Sequence, residues 1–330
     1  MNKFCILLLA IFVINCSKNE EKTPAWTIQT SGTNKSLWSV CFTDTNTVYA
    51  VGESGIILKT TNGGNNWTTQ HSGTTDTLKS VNFPDIDNGY AVGYNGTIIK
   101  TTNCGINWEI QTSGTIENLN SVYFPDIDTG YAVGVRGIIL KTTNGGTNWT
   151  IIKYHPDSSL FFTSVFFLNA INGYVVGGGT GLYSVDPVIL RTTDGGSSWT
   201  KLYISLYHET LKSVFFLKNN TGYVVGDFGW IGASFNGGND WVMLFRGWSW
   251  NSIYFTRRVT GYGYAVNTGY AVGTFGWIFK TTNGGIDWTR QVSGTGENLH
   301  SVCFPNENTG YVVGYKGIIL KTTTGGTGSK

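Results

Sequence analysis

The sequence predicts an all-β fold, a seven-bladed β-propeller with four antiparallel strands per blade and the last blade closed by the N-terminal strand. Three observations predict it. First, a unit of about 41 residues recurs, marked by S/T-x-N/D-x-G-x-x-W ending at Trp67, Trp108, Trp149, Trp199, Trp241 and Trp288. Second, a further copy starts at Thr322-Thr323-Thr324-Gly325-Gly326 but has Ser329 at the tryptophan position, and its missing piece, from Trp26 to Thr33, lies 41 residues before Trp67. A chain that splits one repeat between its ends is a ring closed on itself. Third, 45 Gly, only 6 Pro and 14% aromatic residues fit many short strands joined by tight turns.

The chain opens with a different material. Lys3 precedes an apolar run from Phe4 to Ile14, eleven residues, too short to span a bilayer, which takes about 20 residues. This predicts a signal peptide over residues 1–15. Val13-Ile14-Asn15-Cys16 resembles a bacterial lipobox, in which Cys16 carries the lipid and becomes the first mature residue. Asn15 stands where Gly, Ala or Ser is usual, so ordinary secretion and an uncleaved anchor remain alternatives. Residues 16–23 read as a polar tether, and Ser17 after the cysteine points to the outer membrane or cell surface of a Gram-negative cell. The single domain then runs over 24–330.

Residues 78–111 show how one unit becomes a blade. Leu78-Lys79-Ser80-Val81-Asn82-Phe83 alternates with the period of a strand. A polar turn, Pro84 to Asn88, leads to Gly89-Tyr90-Ala91-Val92-Gly93, and a tip at Tyr94-Asn95-Gly96 leads to Thr97-Ile98-Ile99-Lys100-Thr101. The tryptophan motif makes the next turn, and Trp108-Glu109-Ile110-Gln111 is the fourth strand. In that motif the Thr and Asn side chains hydrogen-bond turn backbone, Gly permits positive φ, and Trp packs across the hairpin. The motif residues are Asn62 and Trp67, Asn103 and Trp108, Asn144 and Trp149, Asp194 and Trp199, Asn236 and Trp241, and Asn283 and Trp288.

The copies stop resembling one another in the second half. Tryptophan spacings of 41 through Trp149 become 50, 42 and 47. The additions fall at Tyr154–Phe161, Gly178–Pro187, Tyr203–Thr210 and Arg257–Asn267. The first three map to the strand two-to-three tip and the link between blades, which emerge on one face and should raise it. The fourth contains a near-duplicate, Gly261 to Val266 before Gly269 to Val272, and either copy fits the second strand. On the raised face, Phe228 and Phe275 stand where other tips carry Ser, Asn, Arg or Lys, with Trp230 and Trp277 beside them and Arg246-Gly247-Trp248-Ser249-Trp250 in a link. Phe228, Trp230, Arg246, Trp248, Trp250, Phe275 and Trp277 form the candidate partner surface. The alternative is that the tryptophans fill gaps between widened blades.

Other chemistry is scarce. With 13% charged residues and a net charge of +2, the chain is not a nucleic-acid polyelectrolyte. Asp85-Ile86-Asp87 and Asp126-Ile127-Asp128 invite a calcium reading, but no Glu closes either loop, and turn formation explains them better. No Cys-x-x-Cys or His/Cys cluster suggests zinc, so no metal and no cofactor are expected. Cys41 and Cys303 hold equivalent positions in neighbouring blades; a disulfide there is one reading, two small buried residues the other.

The turn motif resembles the Asp-box, or bacterial neuraminidase repeat, with Asn mostly in place of Asp. Together with Gly-Tyr-Ala-Val-Gly and Gly-Ile-Ile-Leu-Lys-Thr-Thr-Asn-Gly-Gly, it is similar to the photosystem II stability/assembly factor family over residues 24–326. That resemblance implies a non-enzymatic scaffold that holds a protein or peptide partner during assembly of a membrane complex. The family's arginine-rich partner site is not matched, because Arg136, Arg191, Arg246, Arg257, Arg258 and Arg290 do not repeat. A glycan-binding module is the alternative. An Asp-box glycoside hydrolase needs a carboxylate pair, and Glu53, Asp186, Glu209 and Asp227 form no recognisable one. The expectation is a monomer that meets the membrane only through its lipid.

Overall fold

The computed structural model describes residues 25–153, 159–180, 185–204, 209–217, 220–259 and 265–327. The predicted signal peptide, Cys16 and the tether lie outside the described residues, as do parts of each predicted insertion. Among the described residues no helix is long and apolar enough to cross a membrane.

Seven four-stranded antiparallel sheets follow one another along the chain, each taken in sequence order except the last. Blade one is Leu37–Phe42, Val48–Gly52, Ile57–Thr60 and Thr68–Gln70. Blades two to six begin at Leu78, Leu119, Leu160, Leu211 and Trp250. Blade seven joins Leu299–Cys303, Gly310–Gly314 and Ile319–Thr322 to the N-terminal strand Thr27–Gln29. Its register, Thr27 opposite Lys321 and Gln29 opposite Ile319, is the predicted closure. Trp26 is buried there, edge-on to Tyr270 and Phe304.

Each core lies between blades. The buried cluster of Leu37, Val40 and Leu58 in blade one, for example, is completed by Tyr311, Val313 and Ile319 of blade seven. Three repeated contacts fasten neighbour to neighbour. The first is a ring of serines on the innermost strands. Ser39 Oγ accepts the Val81 N–H of the next blade at 3.2 Å, and Ser80, Ser121, Ser164, Ser213 and Ser252 do the same in turn. Ser301 closes the circle on Val40 at 3.2 Å. Each such bond contributes about 1 kcal/mol.

The second contact runs from the second and third strands to the turn motif of the following blade. Tyr90 Oη and Lys100 Nζ both donate to the Gly145 carbonyl, at 2.8 and 2.7 Å. Tyr49 with Lys59, Tyr131 with Lys141 and Tyr270 with Lys280 repeat the pair on Cys104, Gly195 and Gly325. The third is an aromatic relay. Tyr90 stacks on Phe124 of the next blade at 3.7 Å, and Phe124 meets Trp149 edge-on. A glycine makes room for that Phe: a Cβ on Gly130 would lie 2.2 Å from Phe124 Cζ. Blade one has Val48 at this position, and among the described residues Phe42 enters no such stack. Tyr311, which would cover it, meets Trp67 directly, and its hydroxyl is buried without a partner.

The turn motif is built as expected. Asn62 Oδ1 accepts the Asn66 N–H at 3.0 Å, Thr60 Oγ1 accepts the Gly64 N–H at 2.9 Å, and Gly63 and Gly64 hold φ of 66° and 86°. Asn103, Asn144, Asp194, Asn236 and Asn283 act alike. Hydrogen bonds to its carboxylate from the Ser198 hydroxyl, the Ser198 N–H and the Thr192 hydroxyl hold Asp194 at a pKa of about 2. Asp85 and Asp126 are turn formers: each Oδ1 accepts two N–H groups of its own loop, at 2.6 to 3.0 Å. Cys41 and Cys303 are unpaired thiols at the seam of blades seven and one, and burial pushes the Cys41 pKa up to about 11. The second copy of the near-duplicate is the true counterpart, since Tyr270 pairs with Lys280 as Tyr90 does with Lys100. The first copy lengthens the strand one-to-two hairpin out to Val259 opposite Ala265.

Candidate partner-binding face

The strand two-to-three tips and the links between blades share one face. Five tips are single 3-10 turns, at Glu53–Gly55, Tyr94–Gly96, Asp227–Gly229, Thr274–Gly276 and Tyr315–Gly317. The middle residue of each has a left-handed backbone, with φ of 53° to 56° at Ser54, Asn95, Phe228, Phe275 and Lys316. Blade four raises this face, its second and third strands extending over Gly173–Thr180 and Val185–Thr192.

Asn tolerates a left-handed backbone because its short amide hydrogen-bonds locally; a bulky aromatic has no such compensation. Phe228 and Phe275 hold this conformation and are nevertheless 63% and 64% exposed. Trp248 is 51% exposed, edge-on to Phe275 at 6.1 Å and stacked on Trp277 at 5.6 Å with an interplanar angle of 11°. The Arg290 guanidinium also lies over the Trp277 ring, 3.6 Å from its centroid. Arg290 and Trp248 thus both pack on Trp277, and Phe275 meets Trp248 edge-on. Arg246 is exposed at the end of its strand, opposite Trp230.

Two of the seven predicted contact residues are not on the surface. Trp230 is 3% exposed and Trp250 is 0% exposed. Trp230 packs between blades four and five against Tyr174, Leu211 and Val224, its ring over Gly232, where a Cβ would lie 2.3 Å away. Trp250 takes the inner-strand position that Leu37, Leu78 and Leu119 take elsewhere, and its Nε1 donates to the Gly229 carbonyl at 3.0 Å. For these two the gap-filling alternative is the correct one. For Phe228, Arg246, Trp248, Phe275 and half-buried Trp277 the surface reading is compatible with their placement.

The same face holds a feature that the loops did not announce. Each innermost strand bulges at the residue before its serine, and these residues line a well of about 490 Å³ on the ring axis. Asn120, Thr163, Asn251 and His300 reach across to the next blade, meeting the carbonyls of Phe162, Leu211, Leu299 and Leu37 at 2.6 to 2.9 Å. Lys212 pairs with Asp227 and bonds Ser249 and Asn251. Ser249 in turn donates to Asp227 at 2.7 Å, so the well and the aromatic ledge share a wall. Trp38 stacks on His300 at 4.1 Å, and Lys79 Nζ sits 3.1 Å over the other face of Trp38. Desolvation lowers the Lys79 pKa to about 8, against the raising influence of Glu53. The sequence signal was available: in the seven matched inner strands the position before the serine changes chemistry from blade to blade, from Trp38 and Lys79 to Asn120, Thr163 and His300.

The four carboxylates weighed for a hydrolase sit in separate settings. Glu53 accepts the Ser36 N–H at 2.8 Å, and Asp227 is bound by Lys212 and Ser249. Glu209 is buried, and desolvation raises its pKa although Arg246 opposes this. Asp186 lies across the blade-four hairpin, opposite Gly179.

A profile of the family described as photosynthesis system II assembly factor YCF48 matches residues 18–109, 65–159 and 108–207, more than half of the chain. The chain belongs to this family. Solved structures agree on the fold. A YCF48 bound to a D1 peptide superposes with a TM-score of 0.72 at 17% identity, covering 92% of this chain and 98% of that one. YCF48 from Cyanidioschyzon merolae gives 0.70 at 20% identity, over 90% and 98%. The WD40 propeller domain of Doa1 gives 0.68 at 11% identity, over 89% and 96%, so family membership rests on the repeat motifs and not on the ring shape. No curated protein sequence matches the chain.

Proposed function

We propose that this propeller is a non-enzymatic scaffold that holds a peptide or protein segment on its raised face, at the ledge of Phe228, Trp248 and Phe275 backed by Trp277 and Arg290. One observation carries the reading: two large aromatics occupy left-handed tip positions and are exposed, where the repeat itself offers Asn95. A strained, solvent-facing aromatic costs stability, and contact with a partner is the gain that offsets it. Trp, Tyr and Arg are also the residue types that anchor interfaces. The YCF48 structure with a D1 peptide supports a peptide as the class of partner for a ring of this family.

The test is a cross-linking pull-down with the pair Phe228→Asn and Phe275→Asn, which keeps the tip geometry. Each anchor is worth about 2 kcal/mol, so the double variant should lose its partners by a factor on the order of 1,000. Partner sets identical to wild type would remove the assignment.

We propose further that the chain is exported and tethered as a monomer to the cell envelope through a lipid on Cys16. The apolar run from Phe4 to Ile14, two residues before Cys16, supports this. Labelled palmitate should enter the wild type and not Cys16→Ser; equal labelling of both would exclude it.

A further inference from the structure

The axial well differs from the aromatic ledge in its chemistry. Four of its seven bulge residues complete a hydrogen bond to a backbone carbonyl of the next blade, and Lys212 is neutralised by Asp227. Lys79 is the exception. Its ammonium contacts the Trp38 and Tyr94 rings at 3.1 and 6.0 Å, and among the described residues no carboxylate lies within ion-pair distance of it. Because Trp38 and Lys79 do not reach forward as Asn120 does, the carbonyls of Leu78 and Leu119 receive no side-chain donor from the preceding blade. The well therefore presents one cation without an oxygen partner beside two under-used acceptors, in a concave, half-desolvated setting where charge pairing is stronger than in water.

We propose that this well is a second binding site, which takes a carboxylate on Lys79 together with a hydroxyl or amide donor from the same ligand. The carboxylate belongs either to a small organic acid or to an acidic side chain of a bound protein segment. Trp38, stacked on His300, carries the Lys79 ammonium on its ring and so positions the cation in the well that all three residues line. The depressed pKa supports the assignment: an ammonium that is costly to keep charged in the empty ring becomes favourable once an anion is seated. The other charges facing Lys79 are Glu53 on the blade-one tip, His300 and Lys212 on inner strands, and Asp227, which Lys212 already holds. Glu53 is thus the built-in competitor of the ligand.

The experiment is calorimetric titration of the full chain at pH 8 with malate, with its diamide as control. A second arm uses a short Glu-containing peptide against its Gln counterpart. Wild type should bind malate or the Glu peptide but neither control, with proton uptake on binding, and the affinity should fall as pH rises above 8. Lys79→Met should weaken binding about tenfold or more, while Glu53→Gln, which keeps an acceptor for the Ser36 N–H, should tighten it. A misfolded ring cannot give these opposite signs. Malate alone binding identifies a small acid, and the peptide alone identifies a partner side chain. No binding of either at millimolar concentration, or equal affinity in wild type and Lys79→Met, overturns the proposal. Neither result bears on the Phe228 and Phe275 pull-down.

Discussion

Lys79 shows how one residue exchanges stability for charge. Its folded pKa of about 8 lies below the unfolded value of about 10.4, so the folded state binds fewer protons between those limits. Stability from this group therefore rises as pH climbs from 8 toward 10.4, and below 8 the buried charge carries its full cost. Lys79→Met should accordingly raise stability at pH 7 by something on the order of 1–3 kcal/mol, and the advantage should fade as pH approaches 10. Urea midpoints of the two proteins at pH 7 and pH 9.5 measure this. A constant difference would mean that the ammonium is not desolvated. The tyrosines act in the opposite sense and later: burial pushes Tyr90 and Tyr131 to about 12, so they withdraw stability only above about pH 10.

At the scale of the element, the repeat is a set of slots shared between neighbours. The strand alternation, the tip at Tyr94–Gly96 and the Asx and Thr hydrogen bonds of the turn could be read locally, because residues two to four apart make them. The partners of Tyr90 and Lys100 could not, because Gly145 is 55 and 45 residues away. Their recurrence with the turn glycines was the available signal. The same applies to glycine as a slot for Phe124, which blade one lacks because of Val48. Phe124→Ala, which empties a buried stack, should cost about 3–5 kcal/mol in urea unfolding. Phe42→Ala, in the blade without the stack, should cost clearly less. Equal losses would show that the Val48 slot matters little.

Over the whole molecule, closure depends on one short strand. Thr27–Gln29 supplies three residue pairs to blade seven, and Trp26 fills the gap beside Tyr270 and Phe304. Removing residues 24–33 should expose the edge at Ile319–Thr322 and sharply lower the melting temperature. An unchanged melting temperature would refute closure by this strand. The seam is also where the relays are weakest: Tyr311 has no hydroxyl partner and Phe42 no stack.

By itself the sequence determined the ring, its seven blades, the split blade and the role of each turn residue, because each is a local pattern repeated at fixed spacing. It also marked Phe228 and Phe275 as departures from that pattern. Only the tertiary structure decided which tryptophans are surface and which are filler, since Trp230 and Trp250 face neighbouring blades while Trp248 faces solvent. It also brought Trp38, Lys79 and His300 together. Trp38 and Lys79 come from the consecutive blades one and two, but His300 comes from blade seven, which adjoins blade one only because the ring closes, and no spacing within one repeat encodes a contact made across its first and last copies.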